Sequence, residues 1–293
     1  MRRADYWLSG MMLLWLTAAQ SAPSLLVFAG AATVPPTTEA AKAFEKQTGI
    51  EVDLVFGGSG YVLSQMKLAR RGDLYFPGSS DYMEKAKRNG DVLPKTEKVV
   101  VYVAPAINVQ KGNPHNIHDL KDLLQPGLRV AIANPEGVCV GAYAVEIFEK
   151  ALTAAEREQL KANIRNYTGS CEQTATAISL KLADAVIGWR VFHYWDPKRI
   201  ETIPLEPSQI ARIGYIPIAV SRFSKNPEMA RRFIDFLTGP EGRAIFAKYR
   251  YFPDPQSAFA WIGEVKPVGG EYVVPRDWLN LRTTVNPKGA ARR

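Results

Sequence analysis

The residues with the most chemistry to offer lie at Gly57-Gly58-Ser59-Gly60, where the apolar run Leu54-Val55-Phe56 stops and a helical pattern begins. Val62, Leu63, Met66 and Ala69 recur at helical spacing, and Gly72 ends the element. Such a turn offers free backbone N–H groups and a hydroxyl at the positive end of a helix, which suits an anion. Val27-Phe28-Ala29-Gly30-Ala31-Ala32-Thr33 closes on a second small-residue turn of the same kind. Side by side, two such turns make a pocket for a small ligand. The glycine turn lacks the lysine of a nucleotide-binding P-loop and is not one.

Catalytic constellations are weak by comparison. His115, His118 and His193 are the only histidines, and none has metal-ligand or nucleophile-partner spacing. His193 follows the Ala185–Trp189 region and reads as a packing or surface histidine. Asp184 and Asp196 show no paired-carboxylate arrangement. The two cysteines, Cys139 and Cys171, have no base placed to activate them. The chain is read as a binding protein rather than an enzyme.

The elements that must position the turns alternate apolar runs with helical stretches, the pattern of an α/β architecture with mostly parallel strands. Strands are expected at Leu25–Phe28, Val52–Phe56, Leu74–Phe76, Val99–Ala104, Arg129–Ala133, Ala185–Gly188 and Tyr215–Val220. Helices are expected at Thr38–Gln47, Ser59–Arg70, Asp81–Arg88, Gly141–Ala151, Cys171–Leu182, Pro227–Leu237 and Pro240–Tyr249. Asn226-Pro227-Glu228 is a start signal: a capping Asn, a proline in the first turn, then an acid. No internal repeat or low-complexity linker interrupts the pattern.

With 293 residues, 46% of them hydrophobic and 23% charged, the chain is long enough for one large domain or two lobes with real cores. Residues 1–22 read as an export signal. Arg2 and Arg3 precede the apolar Met11–Leu16, and the small residues of TAAQSA follow. That core is too short to span a membrane, and no cysteine lies beside it to carry a lipid. The expectation is an exported, soluble periplasmic protein. The formal charge of +8 is scattered, without a basic run to track a nucleic acid, and reads as a solvated surface that attracts anions.

The array VFAGAAT…FEKQTGIEVDLVFGGSG…GDLYFPGSSDYM resembles the periplasmic molybdate- and tungstate-binding proteins of ABC transporters, which are type 2 solute-binding proteins. FLTGPEGRAIFAKYRYF at 236–252 is similar to solute-binding proteins generally. The resemblance implies a two-lobed α/β type 2 periplasmic binding protein fold with two crossover strands, at Val99–Val109 and Tyr215–Ser221. Lobe 1 would comprise 23–102 with 218–293, and lobe 2 103–217. Residues 253–293 extend beyond the resemblance, and Trp261, Trp278 and Leu281 suggest an apolar strap on lobe 1.

By that resemblance an oxyanion is held by hydroxyls and backbone N–H groups from both lobes, without metal, cofactor or charged side chain. Full hydrogen bonding keeps the desolvation cost of the buried anion tolerable. Ser59 falls on the serine of the second turn, where its other reading is helix capping. Ala32 stands where the family usually has serine, and the neighbouring Thr33 can supply a hydroxyl. In Gly137–Tyr143, Val140 falls on a backbone N–H donor, with Cys139 replacing the proline beside it. Cys171 falls on another such donor, and Trp189 on a ligand-contacting tyrosine. Tyr61, Tyr82 and Tyr143 lack the carboxylate and histidine partners of a ferric site.

Both cysteines thus land at helix starts on the ligand side of lobe 2, and two readings are open. In an oxidising compartment they form a disulfide, contributing about 3–4 kcal/mol in the chain-entropy model. Alternatively they are a dithiol for a thiophilic metal or metalloid, aided by helix starts that favour thiolate. The implied role is capture of a small oxyanion, molybdate or tungstate first, by a monomer that delivers it to a membrane permease and its ATPase. The other role is a periplasmic sensor that presents its ligand to a signalling partner.

Overall fold

Each lobe is organised by a five-stranded mixed sheet, seen in a computed structural model that describes residues 23–279. In chain order the first part runs β1 (Ser24–Gly30), α1 (Val34–Thr48), β2 (Glu51–Gly57), α2 (Ser59–Ala69), β3 (Leu74–Phe76), α3 (Ser80–Arg88) and β4 (Lys98–Val103). The middle part is β5 (Pro105–Gln110), β6 (Val130–Ala133), α4 (Cys139–Ala151), α5 (Ala154–Asn163), β7 (Ile164–Thr168), α6 (Cys171–Ser179), β8 (Ala185–Trp189), α7 (Phe192–Trp195) and β9 (Ile200–Ile203). The chain then forms β10 (Gly214–Val220), α8 (Pro227–Thr238), α9 (Pro240–Lys248), α10 (Pro255–Ile262) and α11 (Arg276–Leu279).

The first sheet has the order β2-β1-β3-β10-β4 and the second β7-β6-β8-β5-β9. This is the two-lobed α/β fold of type 2 periplasmic binding proteins. β4 leads into β5 through Ala104 alone, and β10 returns the chain to the first sheet. The sheets are not mostly parallel as expected. β1 pairs in parallel with β2 and β3, and β6 with β7 and β8, but β10 runs antiparallel to β3 and β4, and β5 to β8 and β9. A strand that crosses between lobes enters its sheet from the opposite end to the βα units, so the crossovers bring the antiparallel pairs.

Two helix starts differ in detail from expectation. Asn226 occupies the N-cap of α8 but makes no side-chain capping bond. The α5 helix carries a capping box, with Thr153 and Glu156 satisfying each other's backbone N–H groups. That T-x-x-E signal was present in the sequence, although no helix was expected there.

The core falls into two clusters of buried side chains. One runs from Leu25, Val27 and Phe44 of the first lobe to Cys139, Cys171 and Trp189 of the second, so it is continuous across the lobe interface. The other lies behind the second sheet around Ile107, Leu120 and Phe148. Trp278 joins this second core, stacking on Phe148 at 5.4 Å with its indole N–H donating to Glu149. The strap's buried apolar side chains, Trp278, Ala258 and Ile262, therefore join the core behind the second sheet rather than that of the first lobe. It also reaches the first lobe, through α10 against β4, Gly269 against the Tyr215 ring, and polar contacts from Arg88 to Glu271, Ser80 to the Gly270 carbonyl and the Tyr272 N–H to Asp81. Leu281 and the export signal lie outside the described residues.

Candidate functional site

The small-residue turns converge where the two lobes face each other. After β1 the chain turns at Ala31–Thr33 into α1, and after β2 it turns at Gly58 into α2. After β3 it turns at Pro77–Ser79 into α3, while from the second lobe the loops before α4 and α6 arrive opposite. Closeness demands glycine here. A Cβ on Gly78 would lie 2.8 Å from Cys139 Sγ and 2.7 Å from the Ala32 Cβ, and one on Gly58 within 2.8 Å of the Gly137 and Gly169 carbonyls.

Ala32, Thr33, Ser59, Val140, Cys171 and Trp189 are all buried, and the fold gathers them at this interface. Ser59 is not the cap of its helix, because Gly58 holds that position. Its hydroxyl instead accepts a hydrogen bond from the Gly78 N–H at 3.0 Å, which leaves the hydroxyl proton free to donate. Thr33 caps α1 without a side-chain capping bond and accepts from the Thr37 hydroxyl at 2.9 Å. Pro35 and Pro36 follow in the first turn, so that helix start has few N–H donors left to offer. The Ala32 carbonyl is taken by the Tyr251 hydroxyl.

On the second lobe Cys139 and Cys171 are the first residues of α4 and α6. Their sulfurs stand 3.9 Å apart, both buried and free. The expected disulfide is therefore not formed here, since bonded sulfurs lie about 2.05 Å apart; what holds the pair close is the packing of the two helix starts. Burial pushes the Cys171 thiol well up, helped by the neighbouring Cys139, while the Trp189 indole and the Val140 N–H pull it down less strongly. Trp189 Nε1 and Trp195 Nε1 are buried without a well-aligned acceptor, the Trp189 indole lying near the Cys171 sulfur and Trp195 near the Tyr251 hydroxyl.

A polar latch joins the lobes beside these groups. The Gly60 N–H in the first turn of α2 donates to the Gly137 carbonyl at 2.9 Å. The Tyr82 hydroxyl donates to the Glu136 carbonyl at 2.9 Å, and Asn134 Nδ2 donates to the Tyr61 hydroxyl at 2.8 Å. At the back, Arg212 donates to Asp81 of α3 through both terminal nitrogens and to Glu146 of α4 through Nε. These contacts describe a closed arrangement of the lobes. They were invisible in the sequence, where Tyr61, Tyr82 and Tyr143 carried no partner; the Tyr143 hydroxyl accepts from Arg212.

The remaining sequence candidates lie elsewhere. His193 faces the Ile200 carbonyl and lines a separate cavity of about 300 Å³ with Arg190 and Trp261. Asp184 pairs with Arg129 and lies 3.2 Å from His115 Nε2, and Asp196 pairs with Arg199. Among the described residues no cluster of three or more His, Cys, Asp or Glu is placed to hold a metal, and no helix is long and apolar enough to cross a membrane.

The fold and the interlobe site define a solute-binding protein. Residues 25–251 match the family model described as bacterial extracellular solute-binding protein, and the chain belongs to that family. It is 25% identical over 236 residues to the molybdate-binding protein ModA of Escherichia coli, an alignment covering 78% of this chain and 88% of that one. Among solved structures it is similar to the sulfate-binding protein SubI of Mycobacterium tuberculosis, with a TM-score of 0.70, 19% identity and coverage of 84% and 93% of the two chains. It is also similar to the periplasmic molybdate-binding protein of Azotobacter vinelandii, with a TM-score of 0.67, 18% identity and coverage of 78% and 98%.

Proposed function

We propose that this protein is the exported solute-binding component of an ABC transporter and captures a small inorganic oxyanion, molybdate or tungstate first, between its lobes. The observation that carries this reading is the convergence of neutral donors at the interface. Ser59 has a free hydroxyl proton, Trp189 Nε1 has no well-aligned acceptor, and the turns before α2, α4 and α6 end in helix N-termini. A relative from Escherichia coli, 25% identical, carries the name molybdate-binding protein. Delivery would be to a membrane permease and its ATPase, with closure coupled to binding because each lobe supplies part of the donor set.

Neutral donors have no acceptor for a proton on the ligand, so fully ionised tetrahedral dianions are expected to bind ahead of protonated phosphate. Calorimetry with molybdate, tungstate, sulfate and phosphate tests the reading, repeated on Ser59→Ala. That variant is expected to lose about 1–3 kcal/mol of oxyanion binding, one buried donor's contribution. It also strips the Gly78 N–H of its acceptor, so its ligand-free melting temperature is measured separately. Phosphate displacing molybdate at equal concentration, or an unchanged affinity in Ser59→Ala, refutes the assignment.

A further inference from the structure

The sulfur of Cys139 occupies the middle of the interlobe site. A Cβ on Gly78 would meet this sulfur at 2.8 Å, the Ala32 Cβ at 2.7 Å and the Ser59 Oγ at 3.6 Å, so the sulfur lies against the same turns of the first lobe that carry the N–H and O–H donors. Cys171 Sγ stands 3.9 Å away on the neighbouring helix start, and both sulfurs are free. With sulfur bonds of about 2.3 Å, like those of thiolates to zinc, that separation corresponds to an angle of about 115° at a shared centre. The pair is spaced to chelate a single atom.

We propose that Cys139 and Cys171 make this pocket a chelating site for a trivalent thiophilic oxyacid of the arsenite class. The proposal rests on reading the interlobe turns as the solute site and names a second class of solute for it. The step is a condensation without redox change. Two As–O bonds of As(OH)3 break, two As–S bonds form, and each thiol proton leaves with a hydroxyl group as water. A third As–OH remains, for which Ser59, with its free proton, and Trp189 Nε1, without a well-aligned acceptor, are buried donors of the same interface. Burial keeps the Cys171 thiol protonated. Among the described residues no histidine or carboxylate joins the two cysteines in a cluster of three, so a divalent cation would find no charged third ligand, whereas the neutral hydroxide needs only the two sulfurs.

The test uses the reduced full-length mature protein, with arsenite and molybdate as separate probes in calorimetry and thermal-shift assays. Arsenite is expected to bind at one equivalent, raise the melting temperature and protect two thiols from a thiol reagent. Cys139→Ser and Cys171→Ser should each weaken arsenite by about two orders of magnitude or more, while the ligand-free melting curve and circular dichroism of each variant show that it folds. Arsenic-edge X-ray absorption should show two sulfur neighbours. Molybdate binding without arsenite binding overturns the proposal and leaves the oxyanion reading standing. Arsenite binding through both cysteines without molybdate binding upholds the proposal and overturns the dianion assignment. Arsenite binding that ignores both serine substitutions, or a protein with no titratable thiol before reduction, overturns the proposal. Failure of both probes removes both readings.

Discussion

Removing the buried Arg212 guanidinium should cost a large share of this protein's stability. Arg212 is 5% exposed and is held by Asp81, Glu146 and the Gly270 carbonyl, with its charge 4.0 Å above the Tyr143 ring. Arg212→Met keeps much of the volume but leaves two carboxylates, 11% and 17% exposed at the side chain, without a countercharge. Breaking such a buried pair costs about 3–5 kcal/mol. At about 2–4 °C per kcal/mol for a chain of this size, the melting temperature should fall by about 6–20 °C. The loss should also depend on pH. Burial already pushes the Glu146 carboxyl up, and Arg212 pulls it back. Without Arg212 its folded pKa rises further above the unfolded value, so the folded state binds that proton more tightly and regains stability as pH falls through the folded pKa. The gap between variant and parent should therefore narrow from pH 7 towards pH 5, and Glu146→Gln added to Arg212→Met should recover part of it at pH 7. Thermal melts across that range provide the assay. A gap that stays constant with pH, or a melting temperature that does not move, would refute the reasoning.

Tyr82→Phe deletes one latch bond to the Glu136 carbonyl and is expected to weaken oxyanion binding by about 0.5–1.5 kcal/mol while the fold is spared; calorimetry beside a melting curve separates the two effects. Gly78→Ala drives a methyl group against Cys139 Sγ and Ala32, so solute affinity and stability should both fall, by about 1–3 kcal/mol in stability, read by urea titration. Trp278→Ala empties the stack on Phe148 and should cost about 3–5 kcal/mol, with a matching fall in the urea midpoint. Burial alone would raise the Asp184 carboxyl, but hydrogen bonds from Arg129 and the nearby His115 outweigh it and hold it below its ordinary value. Its contribution is thus present above the unfolded pKa and lost as pH falls through the folded one. Asp184→Asn should flatten the loss of stability below about pH 4, followed by acid titration of circular dichroism.

Local pattern determined most of the elements. The Leu74–Phe76 strand, and the helices from Ser59 and Pro227, begin where apolar spacing and start signals put them. The family was legible for the same reason: its turns recur as short contiguous motifs, and residues 25–251 carry them. What spacing does not carry is the relation between segments far apart in the chain. The antiparallel pairing of β5 and β10 follows from where the crossovers enter each sheet. The strap's attachment to Phe148 depends on a cavity that Trp278 fills from 130 residues away (278 − 148). At the site, sequence supplied Ser59, Cys139 and Cys171, but only the packed lobes decided their chemistry. The Gly78 N–H claims one side of the Ser59 oxygen, and two helix starts 32 residues apart in sequence set the sulfurs 3.9 Å from each other. Side-chain identity is local information, whereas the partner and the dielectric around each group are set by the other lobe, and it is those that determine what the group can bind.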